Sequence, residues 1–273
     1  MSEIPPALHD LIADLAPLEG AFSPVLSMGR CSAANLSLSD ITDDCARRLM
    51  ADVALSEPDG DAKLAAAYLI ATVSWNVCEP LAGLALRGLW IVAAKQDAIA
   101  LSERFVHWEQ DREKGVSLTF DLTINETAVA FADVPAPREF AKVLEQLHAP
   151  LIETLHRVCG LSRSALWRLV SDSLASAFLE QGRAIDQAEI AIGRARRILR
   201  DRGSKLFNKQ TNFEWISLPE APDIGDWMRL RGGCCRYYTS GRSDAEYCTT
   251  CVLRSADSRR DRYRDHLRQT KLS

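Results

Sequence analysis

Between residues 116 and 124 apolar and polar side chains alternate, with Val116, Leu118, Phe120, Leu122 and Ile124 separated by Ser117, Thr119, Asp121 and Thr123. A period of two predicts a strand with one wet face, and a turn at Asn125 and Glu126 leading into 127–132 predicts a hairpin, with Phe105 to Trp108 as a third strand. From Pro137 the period lengthens to that of a helix. Phe140, Leu144, Leu147, Leu151, Leu155 and Val158 fall on one face, with Pro150 as a predicted kink. Gly160 ends that helix and Ser162 caps the next, whose apolar positions are Leu166, Val170, Leu174, Ala177 and Phe178. A further helix is expected from about Asp186 to Arg200. Towards the start, short helices are expected near Pro6 to Leu15 and from Asp40 to about Leu55, the latter capped by Ser39 or Asp40. Residues 61–78 read as a strongly apolar helix broken by Pro80 and followed by another apolar stretch to Ala94. Its uncharged run, Leu64 to Cys78, falls short of the ~20 residues that span a bilayer, so it reads as a core helix and no membrane span is expected. The pattern predicts an α+β protein, mainly helical with a small antiparallel sheet.

Composition adds little until charge is followed along the chain. With 273 residues, 47% hydrophobic and 26% charged, the chain has the profile of a globular protein with a substantial core, which excludes disordered, collagenous and coiled-coil classes. The net charge of −4 hides an asymmetry: residues 229–273 hold 11 Lys or Arg against 5 Asp or Glu, so this tail is +6 and the rest is −10. Asp257, Asp261 and Asp265 interleave with its arginines, which predicts ion pairs along an amphipathic helix rather than a nucleic-acid face, and no nucleic-acid partner is expected. A helical domain carrying the small sheet is expected over residues 1–214 and a separate C-terminal segment over 215–273. The first residues, MSEIPPALHD, lack the basic start and apolar run of an export signal, which predicts a cytoplasmic protein. No phosphate-binding loop, dinucleotide fingerprint or serine-hydrolase elbow is visible, and the five histidines show no ligand spacing.

In a reducing compartment eight cysteines read as metal or redox chemistry before disulfides. Half of them, Cys234, Cys235, Cys248 and Cys251, cluster in a C-C-x12-C-x2-C arrangement. Four thiolates can fill the coordination of Zn(II) or of an iron–sulfur cluster. Cys248 and Cys251 have the two-residue spacing of a zinc turn, but the neighbours Cys234 and Cys235 do not. Adjacent side chains of an extended segment diverge, which suits the two irons of a [2Fe-2S] rhomb better than one tetrahedral ion. Gly232 and Gly233 are expected to bring backbone amides up to inorganic sulfide, and Tyr237, Tyr238 and Tyr247 to shield the cluster or pack in the core. Trp227 is a candidate for lining a nearby pocket. Cys31, Cys45, Cys78 and Cys159 sit in apolar contexts and are assigned no ligand role.

The segment Arg229-Leu-Arg-Gly-Gly-Cys-Cys-Arg-Tyr-Tyr, followed by Tyr247-Cys-Thr-Thr-Cys-Val-Leu, resembles the C-terminal signature of the FhuF-type ferric-siderophore reductases. Ala149-Pro-Leu-Ile-Glu and Ser164-Ala-Leu-Trp-Arg-Leu-Val-Ser-Asp-Ser-Leu resemble the helical part of that family, so the similarity covers about the C-terminal half. This sequence departs from the family in a longer loop between Cys235 and Cys248, where the usual pattern is C-C-x10-C-x2-C, and in Val252, where a proline is usual. The resemblance implies a cytoplasmic ferric-siderophore reductase whose C-terminal loop holds a [2Fe-2S] cluster on Cys234, Cys235, Cys248 and Cys251. One electron would pass to chelated Fe(III) and release Fe(II), since hard oxygen ligands hold Fe(II) far less well. The expected substrate is a ferric siderophore, hydroxamate type favoured, and the donor a ferredoxin, a flavodoxin or reduced flavin. Arg236, Arg242 and Arg254 are expected to form a basic rim that steers an acidic carrier. An iron–sulfur sensor of transcription and a zinc-stabilised interaction module are the alternatives.

Overall fold

A computed structural model describes residues 22–29, 35–56, 59–95, 98–110, 113–125, 128–132, 137–240 and 247–272. In chain order the elements are β1 (Leu26–Met28), β2 (Leu36–Ser37), α1 (Asp43–Val53), α2 (Ala62–Leu86), β3 (Trp90–Ala94), β4 (Ile99–Gln110), β5 (Glu113–Ile124), β6 (Val129–Ala132), α3 (Pro137–Cys159), α4 (Arg163–Ala184), α5 (Ala188–Leu199), β7 (Asn212–Leu218), β8 (Ala221–Leu230) and α6 (Ala256–Lys271). The fold is α+β, mainly helical, with small and mostly antiparallel sheets. The helix expected near Pro6 to Leu15, and Cys31, lie outside the described residues.

The central element is α2. Asp61 caps it by accepting from the Leu64 amide at 2.7 Å, and the helix runs unbroken through Pro80 to Leu86, contrary to the predicted break. Every residue from Asn76 to Leu86 is buried, as are most of those from Leu64 onward, and that burial outweighs the ~3 kcal/mol that an interior proline costs. The helix is long and apolar enough to cross a membrane, with mean hydropathy 1.4, but 83% of that window is buried inside the fold. Alongside it α4 runs in the same direction: the Ser173 hydroxyl donates to the Ala71 carbonyl and the Gln181 amide to the Glu79 carboxyl, both pairs at the same offset of 102 residues. Glu79 is 2% exposed, and burial pushes its pKa up to about 7. Trp90, Phe140 and Phe178 close the far end of this core, with Trp90 and Phe140 edge to face at 4.8 Å.

The apolar face of β5 is buried as its alternation predicts, but its partner is different. β5 pairs antiparallel with β4 from Ile99↔Ile124 to Gln110↔Glu113, while β6 pairs with β3 in a separate two-stranded sheet. The predicted hairpin across Asn125 therefore does not form. Phe105 to Trp108 is the middle of a 12-residue strand, which offers β5 a ladder three times as long as the four residues of β6. Thr42, rather than Ser39 or Asp40, caps α1. Gly160, at φ +71°, and the Ser162 cap divide α3 from α4 as expected.

After α5 the β7–β8 hairpin sets Trp215 opposite Trp227. Helix α6 packs on it around a small second core of Ile216, Leu218, Met228 and Leu267. The arginines of α6 are ion-paired as the interleaved acids predict: Arg260 with Glu214 and Arg268 with Glu220, each at 2.7 Å, besides pairs within the helix.

Candidate functional site

Strand β8 ends at Leu230 and hands the chain to Arg231, Gly232 and Gly233, directly before the first two cysteines. This loop is fastened to α4 by one side chain. The carboxylate of Asp172, 3% exposed, accepts from the Gly232 and Gly233 amides at 2.8 and 2.9 Å and from the Thr211 hydroxyl at 2.7 Å. Arg231 Nε adds a contact at 3.4 Å to the same carboxylate, and Arg229 Nη1 donates to the Asp172 carbonyl at 3.1 Å. The approach is too close for any side chain on the loop. A Cβ on Gly232 would lie 2.4 Å from Asn208 Nδ2, and one on Gly233 would lie 3.0 Å from the Arg168 and Leu169 backbone. The two glycines are thus required by packing against α4 and its neighbours, and their amides serve Asp172 instead of being directed to inorganic sulfide as expected.

The other face of the loop gathers sulfur. Arg231 Nη1 lies 3.5 Å from Cys235 Sγ and 3.6 Å from Cys248 Sγ, so one guanidinium nitrogen bridges cysteines from the two separate halves of the motif. The Cys248 thiol donates to Cys235. That bond holds Cys235 well below the usual thiol range against the cost of burial, with Arg231 helping, and pushes Cys248 up. Cys234 and Cys251 complete the group. Burial raises the Cys234 thiol, the Arg236 amide opposes this from 3.4 Å, and Cys235 and Cys251 press on it electrostatically. The Leu253 amide lies 3.5 Å from Cys251 Sγ. Arg231 keeps its charge although burial opposes it, because Cys235, Asp172 and Cys248 all favour the cation.

Two further arginines hold the loop in place. Arg236, in the left-handed region at φ +63°, reaches the cap of α2 through Asp61 at 2.7 Å. Arg254 Nε donates to the Tyr247 and Cys248 carbonyls at 3.0 Å. These two members of the expected basic rim are engaged within the fold, and Arg242 lies outside the described residues. Tyr238 and Tyr247 stack edge to face at 5.7 Å and are each 42% exposed, which makes them a surface pair rather than core. Trp227 lines a charged cavity with Trp215, Arg183 and Lys271. None of the four cysteines is among the described residues that line it.

The structure therefore brings Cys234, Cys235, Cys248 and Cys251 together and leaves Cys45, Cys78 and Cys159 apart. Cys78 is buried in the core, where burial raises its thiol, Cys159 donates to the Leu155 carbonyl at 3.0 Å, and Cys45 lies beside Arg48. Among the described residues no three His, Cys, Asp or Glu side chains converge as a single-ion site does. The donor set is nonetheless one that a soft metal centre takes: four sulfurs, each with an N–H group aimed at it, and a buried cation to offset thiolate charge. Arg231 and Asp172 were not singled out from the sequence. The signals for them were an arginine three residues before the cysteine pair and an aspartate flanked by Ser171 and Ser173 on an otherwise apolar helix face.

Set against family models, curated proteins and solved structures, this chain finds no match.

Proposed function

We propose that the chain is a one-electron reductase of ferric siderophores, with a [2Fe-2S] cluster held by Cys234, Cys235, Cys248 and Cys251. The observation that supports this reading is the placement of Cys235 and Cys248 against Arg231, with the Arg236 and Leu253 amides at the sulfurs of Cys234 and Cys251. When bound, such a cluster supplies electrons singly. Cys235 and Cys248 lie beside Arg231, Cys234 and Cys251 act on each other electrostatically, and the four together would hold the cluster. Arg231 stabilises the extra negative charge that reduction brings, Asp172 keeps Arg231 and the loop in register, and the stacked Tyr238 and Tyr247 limit water at the edge of the site. No acid–base group is needed, because chelated Fe(III) loses its grip on hard oxygen ligands once reduced. The protein would act in the cytoplasm, supplied by a ferredoxin, a flavodoxin or reduced flavin, with no nucleic-acid partner.

The test is anaerobic purification from iron-replete cells, followed by iron and sulfide analysis, visible absorption and EPR. Two irons and two sulfides per chain, a red-brown colour, and reoxidation of the dithionite-reduced protein by a ferric hydroxamate with Fe(II) trapped by a ferrous chelator are expected. Stoichiometric zinc in colourless protein makes it a zinc-stabilised module. An intact cluster that no ferric chelate oxidises ends the reductase reading.

A further inference from the structure

The four sulfurs are not equally placed. Cys234 Sγ accepts from the Arg236 amide at 3.4 Å and Cys251 Sγ from the Leu253 amide at 3.5 Å, so each is held to its own turn by the amide two residues on. Cys235 and Cys248 face each other across the loop. The Cys248 thiol donates to the Cys235 sulfur, and Arg231 Nη1 lies 3.5 Å from one and 3.6 Å from the other. Both are partly open to solvent, whereas Cys251 is 5% exposed.

The backbone on either side of this pair is anchored by the protein's own hydrogen bonds. Asp172 on α4 holds the Gly232 and Gly233 amides, just before the first cysteines. Arg236, next to Cys235, pairs with Asp61 at the cap of α2, and Arg254 Nε donates to the Cys248 carbonyl at 3.0 Å. The fold itself thus brings two sulfurs from opposite ends of the loop into contact.

We propose that Cys235 and Cys248 form a disulfide when the centre holds no metal, and that this bond is a lock on metal loading. The proposal stands apart from the reductase reading, since it needs only the contact of the two sulfurs and applies to iron and zinc alike. The oxidant is a disulfide of the glutathione class. The Cys235 sulfur attacks it, its S–S bond breaks, and one glutathione leaves as a mixed disulfide forms. The Cys248 sulfur then attacks Cys235 and expels the second glutathione. Two protein thiols lose two electrons, and their two protons end on the two glutathione thiols released. Arg231, beside both sulfurs, stabilises the negative charge that passes between them. The bond ties the two halves of the loop covalently, where reduced thiols without metal leave only hydrogen bonds. It also withdraws two of the four ligand sulfurs until a dithiol returns the electrons. A reducing cytoplasm keeps the lock open, and a rise in glutathione disulfide closes it and spares these thiols from irreversible oxidation.

The experiment uses the full chain, stripped of metal by a chelator under dithiothreitol, freed of both, and incubated anaerobically in glutathione buffers of stepped potential. Alkylation and trypsin digestion are expected to show the loss of two free thiols and a cross-link between peptides 232–236 and 243–254, which fragmentation places at Cys235 and Cys248. The double variant Cys234→Ser with Cys251→Ser is expected to keep the cross-link, and Cys235→Ser and Cys248→Ser each to lose it. Zn(II), titrated against a chromophoric chelator, is expected to bind the oxidised protein at least about tenfold more weakly than the reduced one, with dithiothreitol restoring the affinity. A cross-link at Cys234–Cys235 or Cys248–Cys251, none even in fully oxidised buffer, or zinc affinity indifferent to oxidation overturns the proposal. Should the double variant not fold, the position of the cross-link in the wild type decides. These outcomes judge the lock alone, while iron and sulfide content and reoxidation by a ferric chelate judge the reductase reading.

Discussion

On the proposed cluster reading, replacing Arg231 by Met removes a positive charge that touches two of the four cysteines, at 3.5 and 3.6 Å. With the guanidinium roughly 5 Å from the charge that reduction adds, an effective dielectric of about 20 gives ~3 kcal/mol. At ~59 mV for each ~1.4 kcal/mol this is roughly 130 mV for one electron. Asp172, 3.4 Å from Arg231 Nε, is present in both proteins, so its field drops out of the difference. Halving the figure for solvent screening leaves a midpoint potential lower by about 60 mV or more in Arg231→Met. Arg231→Lys keeps a charge without the planar fork that reaches both sulfurs and Asp172 together, and is expected to fall between the two. Dye-mediated potentiometry followed by EPR measures all three proteins. If Arg231→Met retains a full cluster and the wild-type potential, the electrostatic role given to Arg231 is wrong.

On the same reading, Ser substitution of Cys234, Cys235, Cys248 or Cys251 is expected to abolish or destabilise the proposed metal centre, while Ser at Cys45, Cys78 or Cys159 leaves the metal content unchanged by elemental analysis. Asp172→Asn removes the anion that accepts from two loop amides and is expected to cost about 2–3 kcal/mol in denaturant unfolding and to lower metal occupancy, since hydrogen bonds to charged groups are the strong ones. Gly232→Ala and Gly233→Ala are each expected to cost ~1–3 kcal/mol for the same loop, because the new Cβ meets the hydrogen-bonded side chain of Asn208 in the first and the α4 backbone at Arg168 and Leu169 in the second. Glu79 has its folded pKa raised to about 7 from an ordinary 4.5, so its contribution is most favourable below about pH 4.5 and is lost as the pH rises towards 7. Glu79→Gln is therefore expected to be the more stable protein at pH 8 and to lose that advantage near pH 4.5. Urea midpoints across that range decide, and parallel curves for the two proteins would contradict the burial argument.

Periodicity read the helices well because a buried stripe writes itself into spacing. Phe140, Leu144, Leu147, Leu151 and Leu155 are all buried, and so are Leu166, Val170, Leu174, Ala177 and Phe178. The partner of a strand is not written that way. The alternation of 116–124 says that one face is buried but not which neighbour covers its edge, and the nearby turn at Asn125 drew the pairing to β6 when the long β4 takes it. Pro80 misled for a related reason, since a local cost says nothing about how much burial opposes it. At the site, the cysteine spacing marked the residues that the fold gathers. What positions them comes from far along the chain, Asp172 at a separation of 60 residues and Asp61 at 175, and such pairs leave no short-range trace. The wall behind the two glycines was invisible for the same reason: the spacing shows that the loop must be tight, but not which wall it is tight against.

Those separations also order events during biosynthesis. Asp61 and Asp172 emerge early and Cys251 near the end of the chain, so the cradle is in place before the last thiol exists to enter it. Contacts of such long sequence separation close late in folding. The residues of the main core precede Cys234, and Cys235 only packs against that core from the side. Metal insertion would then be a finishing step on a body already folded, and loss of the metal would release the C-terminal loop without dissolving the helices beneath it. Amide exchange followed with and without metal would show protection vanish from 231–254 and persist along α2 and α4.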